Sequence, residues 1–403
     1  MDMQTMDMQQ MDMQQQQCDI AIIGGGMVGA LAAALLAPTG LTIRVVEAKR
    51  PTEFSPEQPR DLRVSAISAT SVALLEQAGA WDTIQGMRAW PYQRLEAYEW
   101  QGFHTEFSAA SAGCEYLGYM VENRLIQLGL WQVLAQYPNV ILDCPNGLEA
   151  LRQTEEGTLL TLTHGQPLNT RLVLACDGAE SFTRQLAGIG ISAWDYGQQC
   201  MLISIAADQL ESDLTWQQFT PHGPRAFLPL GKDEGCLVWY DQKERIQTLA
   251  KLDNEALAEQ VAMHFPARMG NFNVLSKGSF ALRRRHANQY VKGRVVLLGD
   301  AAHTINPLAG QGVNLGFKDV SAIVDLVNQG VAAQLDIGSV ARLARYQRRR
   351  RPDNLLMQAT MDVCYHAFSN DILPLKILRN LSLMAAQHSG PLKTRVMKYA
   401  MGL

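Results

Sequence analysis

A short apolar strand runs directly into glycines and then into a helix of small residues in "DIAIIGGGMVGALAAALLA", residues 19–37. Gly24, Gly26 and Gly29 stand in the spacing GxGxxG. The first permits a tight turn, the second lets the backbone approach a pyrophosphate, and the third lets helix and strand pack closely. The helix that follows presents its partial positive end to an anion. The next strand, "LTIRVVE", ends on Glu47, 18 residues after Gly29, where a carboxylate can take ribose hydroxyls. A strand–helix–strand unit of this kind commits the N-terminal part of the chain to an α/β fold with a dinucleotide site. It does not separate NAD from FAD.

The same apolar run could be read as a membrane span or signal peptide. No basic residue precedes Arg44, and three consecutive glycines interrupt it, so neither reading is adopted. Before it, residues 1–17 repeat "MDMQT", "MDMQQ", "MDMQQ" into a glutamine tract. That composition predicts a disordered tail. Its methionine thioethers leave soft-metal binding as the alternative, and no metal site is expected elsewhere.

The chain has 403 residues, enough for two or more domains. A net charge of −4 disfavours a nucleic-acid partner. Seven cysteines without a CxxC read as a reduced, cytoplasmic protein and argue against thiol–disulfide chemistry. "TRLVLACDGAESFTR" (170–184) and "GRVVLLGDAAH" (293–303) repeat the strand-then-turn logic of the first unit. Between them, 200–283 reads as short strands of an antiparallel sheet. From 318 onward the pattern is helical. The expected organisation is a discontinuous nucleotide-binding domain (18–90, 119–195, 284–340), a second domain (91–118 and 196–283) and a helical region (341–403).

Asp300 ends an apolar strand and precedes Pro307 and "AGQG". Alone, Asp300 could cap the helix start "AAHTI" or accept a hydrogen bond from a ligand hydroxyl. Asp177-Gly178 ends another strand. Taken in order, GxGxxG, a "DG" pair and a "GD" motif with Pro and a Gly-rich loop resemble the single-component, flavin-dependent aromatic monooxygenases of the hydroxybenzoate-hydroxylase type. "RVSAIS" (63–68), "GYMVEN" (118–123), "WQQFTPHGPRAFLPL" (216–230) and "GDAAHTINPLAGQGVNLGFKD" (299–319) resemble the ubiquinone-biosynthesis hydroxylases within that group. The similarity runs from about residue 18 to the C-terminus, and the Met/Gln tail is not part of it.

The resemblance implies a Rossmann-like FAD-binding domain with an inserted antiparallel-sheet substrate domain. It implies FAD with NADH or NADPH as co-substrate, and hydroxylation of a polyprenylated quinol ring by O₂. Asp300 would accept from a ribityl hydroxyl. The backbone of Gly310, Gln311 and Gly312 would face the pyrimidine edge of the flavin, and Pro307 would shape the oxygen site. Asp177 and Gly178 would belong to the cofactor site. Arg63 would lie beside the flavin, against the alternative of a surface salt bridge, and Asn123 would reach the cofactor with its amide. His303 is a candidate acid–base group or a packing residue. Arg283, Arg284 and Arg285 could attract the nicotinamide phosphates or form a solvated strand end. Phe227 and Pro229 are candidate walls of the ring site, or core.

Other activities stay open: hydroxylation of another ring position, of a soluble phenol, or a non-catalytic flavoprotein scaffold. Residues 372–403 carry five Lys/Arg, no acid, and more apolar residues than one core-facing stripe needs. They are expected to form two helices divided at Pro391, either as a cap or as a surface for a membrane or for other ubiquinone-biosynthesis proteins.

Overall fold

A computed structural model describes residues 16–100, 102–305, 312–390 and 393, the side chains of Tyr196 and Cys364 excepted. Residues 1–15, Pro307, Gly310, Gln311 and Pro391 therefore lie outside the described residues. The first strand is Gln16–Ile23, three residues longer at its start than the expected "DIAII", because Gln16, Gln17 and Cys18 pair with Leu168, Asn169 and Thr170.

That strand lies at the centre of an eight-stranded sheet. Its parallel part is Val295–Leu297, Leu168–Ala175, Gln16–Ile23, Ile43–Val46 and Val140–Asp143, in that spatial order. The central strands carry apolar residues on both faces, as parallel strands covered by helices do, with Ile20, Ile22, Leu172, Val173 and Val296 fully buried. The helices Met27–Leu36, Asn123–Leu134 and Gly312–Ala332 contribute much of the largest core, with Leu31, Leu130 and Phe317 fully buried. A three-stranded antiparallel sheet, Val64–Ser68, Gly118–Glu122 and Ala89–Tyr92, stands beside it.

The second eight-stranded sheet has the spatial order His303–Thr304, Phe272–Ala287, Ile191–Ala207, Glu234–Gln242, Arg225–Pro229, Leu214–Gln218, Arg94–Tyr98, His104–Ser108. It is antiparallel except where Leu214–Gln218 runs parallel to Arg94–Tyr98. Its two longest strands, Ile191–Ala207 and Phe272–Ala287, overrun the expected limits at 196 and 283. The second carries Arg285 and His286 to pair with Thr304 and His303, just beyond Asp300. One face of this sheet buries Met201, Trp216, Phe227 and Trp239 against the helices Lys243–Ala250 and Asn254–His264. The other face is turned towards residue 64 and its neighbours.

The chain ends in the helices Val340–Phe368 and Leu373–Gln387. The second is inverted in polarity. Arg379 and Asn380 are its buried residues, at 7% and 1% exposure, while Leu373 and Leu378 are 60% and 62% exposed. Thr105 Oγ1 donates to the Leu383 carbonyl at 2.7 Å, and Glu106 N–H donates to Gln387 Oε1 at 2.9 Å, fixing the helix to the edge strand.

Candidate functional site

Gly24 lies in the left-handed region at φ +98°, and a side chain there would meet the Cys176 carbonyl at 2.4 Å. A Cβ on Gly29 would come within 1.9 Å of the Gly24 carbonyl oxygen. The chain's own packing thus requires both. Gly26 is different. Its φ of −68° suits any residue, and a Cβ would meet nothing within 4 Å. The open space beside it, at the start of a helix, is a cradle that a Cβ would enter.

Two contacts shape this cradle that the motif alone does not reveal. Trp131 Nε1 and Gln127 Nε2 donate to the Gly25 carbonyl at 2.8 and 2.9 Å. In a trans peptide the following N–H points the opposite way, so Gly26 N–H is aimed away from Trp131. Glu47 accepts from Gly25 N–H at 2.6 Å and from Lys49 N–H at 3.0 Å. It braces the turn as well as lining the cleft where ribose hydroxyls were expected.

That cleft has a volume of about 600 Å³ and is lined by Gly26, Glu47, Arg63 and Asn123 among others. A second cavity, of about 330 Å³, shares Arg63 and Asn123 with it. Asn123 opens the helix Asn123–Leu134. Its Oδ1 accepts from Ser65 Oγ at 2.7 Å, and its N–H donates to the Arg63 carbonyl at 2.9 Å. Arg63 lies 5.5 Å above the Phe280 ring and pairs with no carboxylate among the described residues, which removes the salt-bridge alternative there. The two segments thus place a cation and an amide where the two spaces meet.

The second cavity is one face of the second sheet. Ala226 and Leu228 line it, with Cys200, Leu202, Val238 and Tyr240. Phe227 and Pro229, the expected walls, point the other way. Phe227 is 2% exposed and stacks on Trp216 with ring centroids 6.1 Å apart. Alternation along a strand puts neighbours on opposite faces, so of the two expectations, ring-site wall or core, Phe227 takes the core.

Asp177 is occupied locally. It accepts from Ser181 Oγ at 2.5 Å and from Thr183 N–H and Oγ1 at 2.9 and 2.8 Å, holding the turn through Gly178, whose φ is +79°. Asp300 stands on the single 3-10 turn Gly299–Ala301. It caps nothing there and accepts no hydrogen bond from a described residue. Its carboxylate is open to solvent on one side and walled by protein on the other. The protein wall raises its pKa, against the pull of His303, Arg63 and Arg285. Gly312 begins the helix Gly312–Ala332, with open space where a Cβ would be.

His303 is corrected from acid–base candidate to interior residue. Its Nε2 lies 2.6 Å from Asp319 Oδ2, with both side chains essentially buried, and it lines neither cavity. Asp319 also accepts from Gly299 N–H at 3.1 Å and from Arg350 Nε at 2.7 Å. Burial opposes its ionisation, but His303 and Arg350 outweigh that and hold the carboxyl below its usual range. Asp319 was missed as a hub; the visible signal was an acid sharing its helix with the apolar residues Phe317, Val320 and Ile323. Asn314 was missed likewise. It accepts from Ser68 N–H at 3.0 Å and donates to the Ala66 carbonyl at 2.8 Å, tying the helix after the Gly-rich loop to the strand after Arg63. Each arginine of 283–285 faces a carboxylate: Arg283 faces Glu180 and Asp195, Arg284 faces Asp362, and Arg285 faces Glu180.

The open Gly26 cradle, the acid ending the second strand and the free Asp300 carboxylate fit an adenine dinucleotide with a polyhydroxylated linker, as in FAD. The family model described as "FAD binding domain" matches residues 17–359. The chain is 48% identical to "3-demethoxyubiquinol 3-hydroxylase" of Escherichia coli (strain K12), over 96% of this chain and 99% of that one. It is 34% identical to "Ubiquinone hydroxylase UbiL" of Rhodospirillum rubrum, over 95% and 89%. In fold it resembles the crystal structure of p-nitrophenol 4-monooxygenase PnpA from Pseudomonas putida, with a TM-score of 0.78, 18% identity, and coverage of 96% and 97%. The chain belongs to the FAD binding domain family, among the flavoprotein monooxygenases that include the ubiquinone-biosynthesis hydroxylases.

Proposed function

We propose that this chain hydroxylates the ring of a polyprenylated quinol, the 3-demethoxyubiquinol of its 48%-identical relative, during ubiquinone synthesis. NAD(P)H supplies two electrons. One oxygen atom of O₂ replaces a ring C–H with C–OH, and the other leaves as water. Bound FAD supplies the electron transfer and oxygen activation that amino-acid side chains cannot. The carrying observation is that an apolar cavity meets the dinucleotide cleft at Arg63 and Asn123.

The chain's own groups divide the remaining work. The Gly24–Gly29 turn takes the pyrophosphate, with the helix N-terminus opposing its charge. Glu47 takes the ribose, and Asp300 a hydroxyl of the linker. Asp177 and Gly178 keep the neighbouring turn in shape. Arg63 and Asn123 hold the flavin where it borders the ring site. Pro307, Gly310, Gln311 and Gly312 are assigned to its reactive edge on resemblance. The apolar sheet face excludes water from the ring.

A cavity of about 330 Å³ is at the lower end of the roughly 300–1,000 Å³ usual for ligand sites. It accepts a ring but not a long prenyl tail. A long prenyl tail also keeps the quinol out of free solution in water, so the enzyme collects it from lipid or from a carrier. The outward apolar face of Leu373–Gln387 supports peripheral contact with a bilayer. No helix among the described residues is long and apolar enough to cross a membrane.

The test is turnover of purified protein with FAD, NADH or NADPH, O₂ and a short-chain demethoxyubiquinol. Hydroxylated product, identified by mass, is expected in proportion to nicotinamide oxidised. Oxidation that yields only hydrogen peroxide would remove this substrate class.

A further inference from the structure

Gln217 stands where the apolar floor of the ring cavity has no structural use for an amide. Strand register sets the row. Ala97, Gln217, Ala226, Val238, Leu202 and Gly278 lie side by side across the second sheet. All but Gly278 line the cavity. Five of the six carry no polar side-chain atom. The alanines on both flanks leave the longer Gln217 side chain standing clear of its neighbours.

The other polar side chains on this floor are accounted for. Thr215 Oγ1 donates to the Phe227 carbonyl at 2.7 Å. Cys200 and Tyr240 are directly opposed partners on adjacent strands and interact through their side chains. The Gln217 amide has no side-chain partner among the described residues. A polar group on a mostly apolar wall costs stability unless something satisfies it. An amide can donate to one oxygen and accept from a hydroxyl, a combination matched to a quinol ring.

We propose that Gln217 is a specificity-determining residue that recognises an oxygen substituent of the substrate ring and so orients the carbon to be hydroxylated. This rests on the quinol reading above. A site that hydrogen-bonds a substrate oxygen rejects analogues lacking it, because its own polar group is then left unpaired.

The experiment compares wild type with Gln217→Met, which keeps length and removes the amide. Substrates are a short-chain demethoxyubiquinol and analogues in which each ring oxygen in turn is replaced by hydrogen. Wild type should discriminate in kcat/KM against one analogue by roughly 5- to 150-fold, the cost of one unpaired buried group. Gln217→Met should treat that analogue and the full substrate alike, and should divert more reducing equivalents to hydrogen peroxide. Discrimination retained in Gln217→Met overturns the proposal. If that variant does not fold, Gln217→Leu serves: it removes donor and acceptor together, so discrimination must shrink, and undiminished discrimination is equally fatal. If wild type hydroxylates no quinol at all, the functional reading fails instead.

Discussion

Arg379 and Glu99 meet in the interior although 280 residues separate them. Arg379 Nε donates to Glu99 Oε2 at 2.7 Å, its second nitrogen closes on Oε1, and Asn380 donates to Oε2 at 2.6 Å. This pair holds the last helix with its polar residues inward. Glu99→Gln should lower stability by about 3–5 kcal/mol, because Arg379 keeps its charge but loses its counter-ion. Urea unfolding would show it. A loss below about 1 kcal/mol would mean that water replaces the carboxylate. Deleting residues 372–403 would leave Glu99 unpaired in the same way, so it is a poor probe of surface binding.

The exposed residues Leu375, Leu378 and Leu381 are the better probe. Changing all three to Ser should leave unfolding within about 1 kcal/mol of wild type, since surface changes seldom cost more. Binding to anionic vesicles should fall at least about tenfold, given roughly 1.5–3 kcal/mol for each fully buried Leu and less for a partly inserted one. Co-sedimentation with vesicles decides; undiminished binding reassigns the face to a protein partner.

Gly26 and Gly29 should fail differently. Gly29→Ala puts a Cβ into the Gly24 carbonyl and should yield little folded protein. Gly26→Val meets open space, so circular dichroism should be near normal while flavin is lost. A yellow Gly26→Val protein would contradict the pyrophosphate assignment.

Asp300→Ala removes a carboxylate without a described protein partner. Flavin affinity should drop about 10- to 150-fold, as for loss of one charge-assisted hydrogen bond of roughly 1.5–3 kcal/mol. The flavin-free melting temperature should not move. If it falls while affinity holds, Asp300 is structural.

His286 sets a pH dependence. Burial, with His303 and Arg351 adding to it, pushes its pKa down to about 4 from 6.5. Between those values the unfolded chain takes up a proton and the folded one does not. Stability is therefore lost as pH falls from about 6.5 towards 4, by about 1–3 kcal/mol. His286→Gln should flatten that part of the profile relative to wild type, and parallel curves would count against it.

Gly24, Gly26, Gly29 and Glu47 were legible because their roles are local: a turn, a helix start and a strand end lie within one short stretch. Phe227 was not. A strand's alternation says that Ala226 and Phe227 face opposite ways, but only the neighbouring strands say which face meets the cavity. His303 was ambiguous for a similar reason, since its partner Asp319 sits on a helix that the sequence does not dock. The last helix was seen as over-rich in apolar residues. That its buried face is the polar one depends on Glu99, in a distant part of the chain.

The spatial order of the first sheet has a consequence for how the protein is made. Val295–Leu297 completes the parallel row begun by Gln16–Ile23, and Asp300 follows it directly. At roughly 5–20 residues per second, a ribosome needs tens of seconds to travel from the Gly24 turn to Asp300. Once made, Val173, Leu174 and Ala175 spend the rest of that interval without the neighbour that will cover one edge of their strand. The nascent chain is then open to chaperones and to aggregation, and the carboxylate assigned above to the flavin linker has not yet been made. If Asp300 holds the linker as proposed, flavin capture belongs to the end of synthesis, and bound cofactor marks a chain whose two halves have found each other.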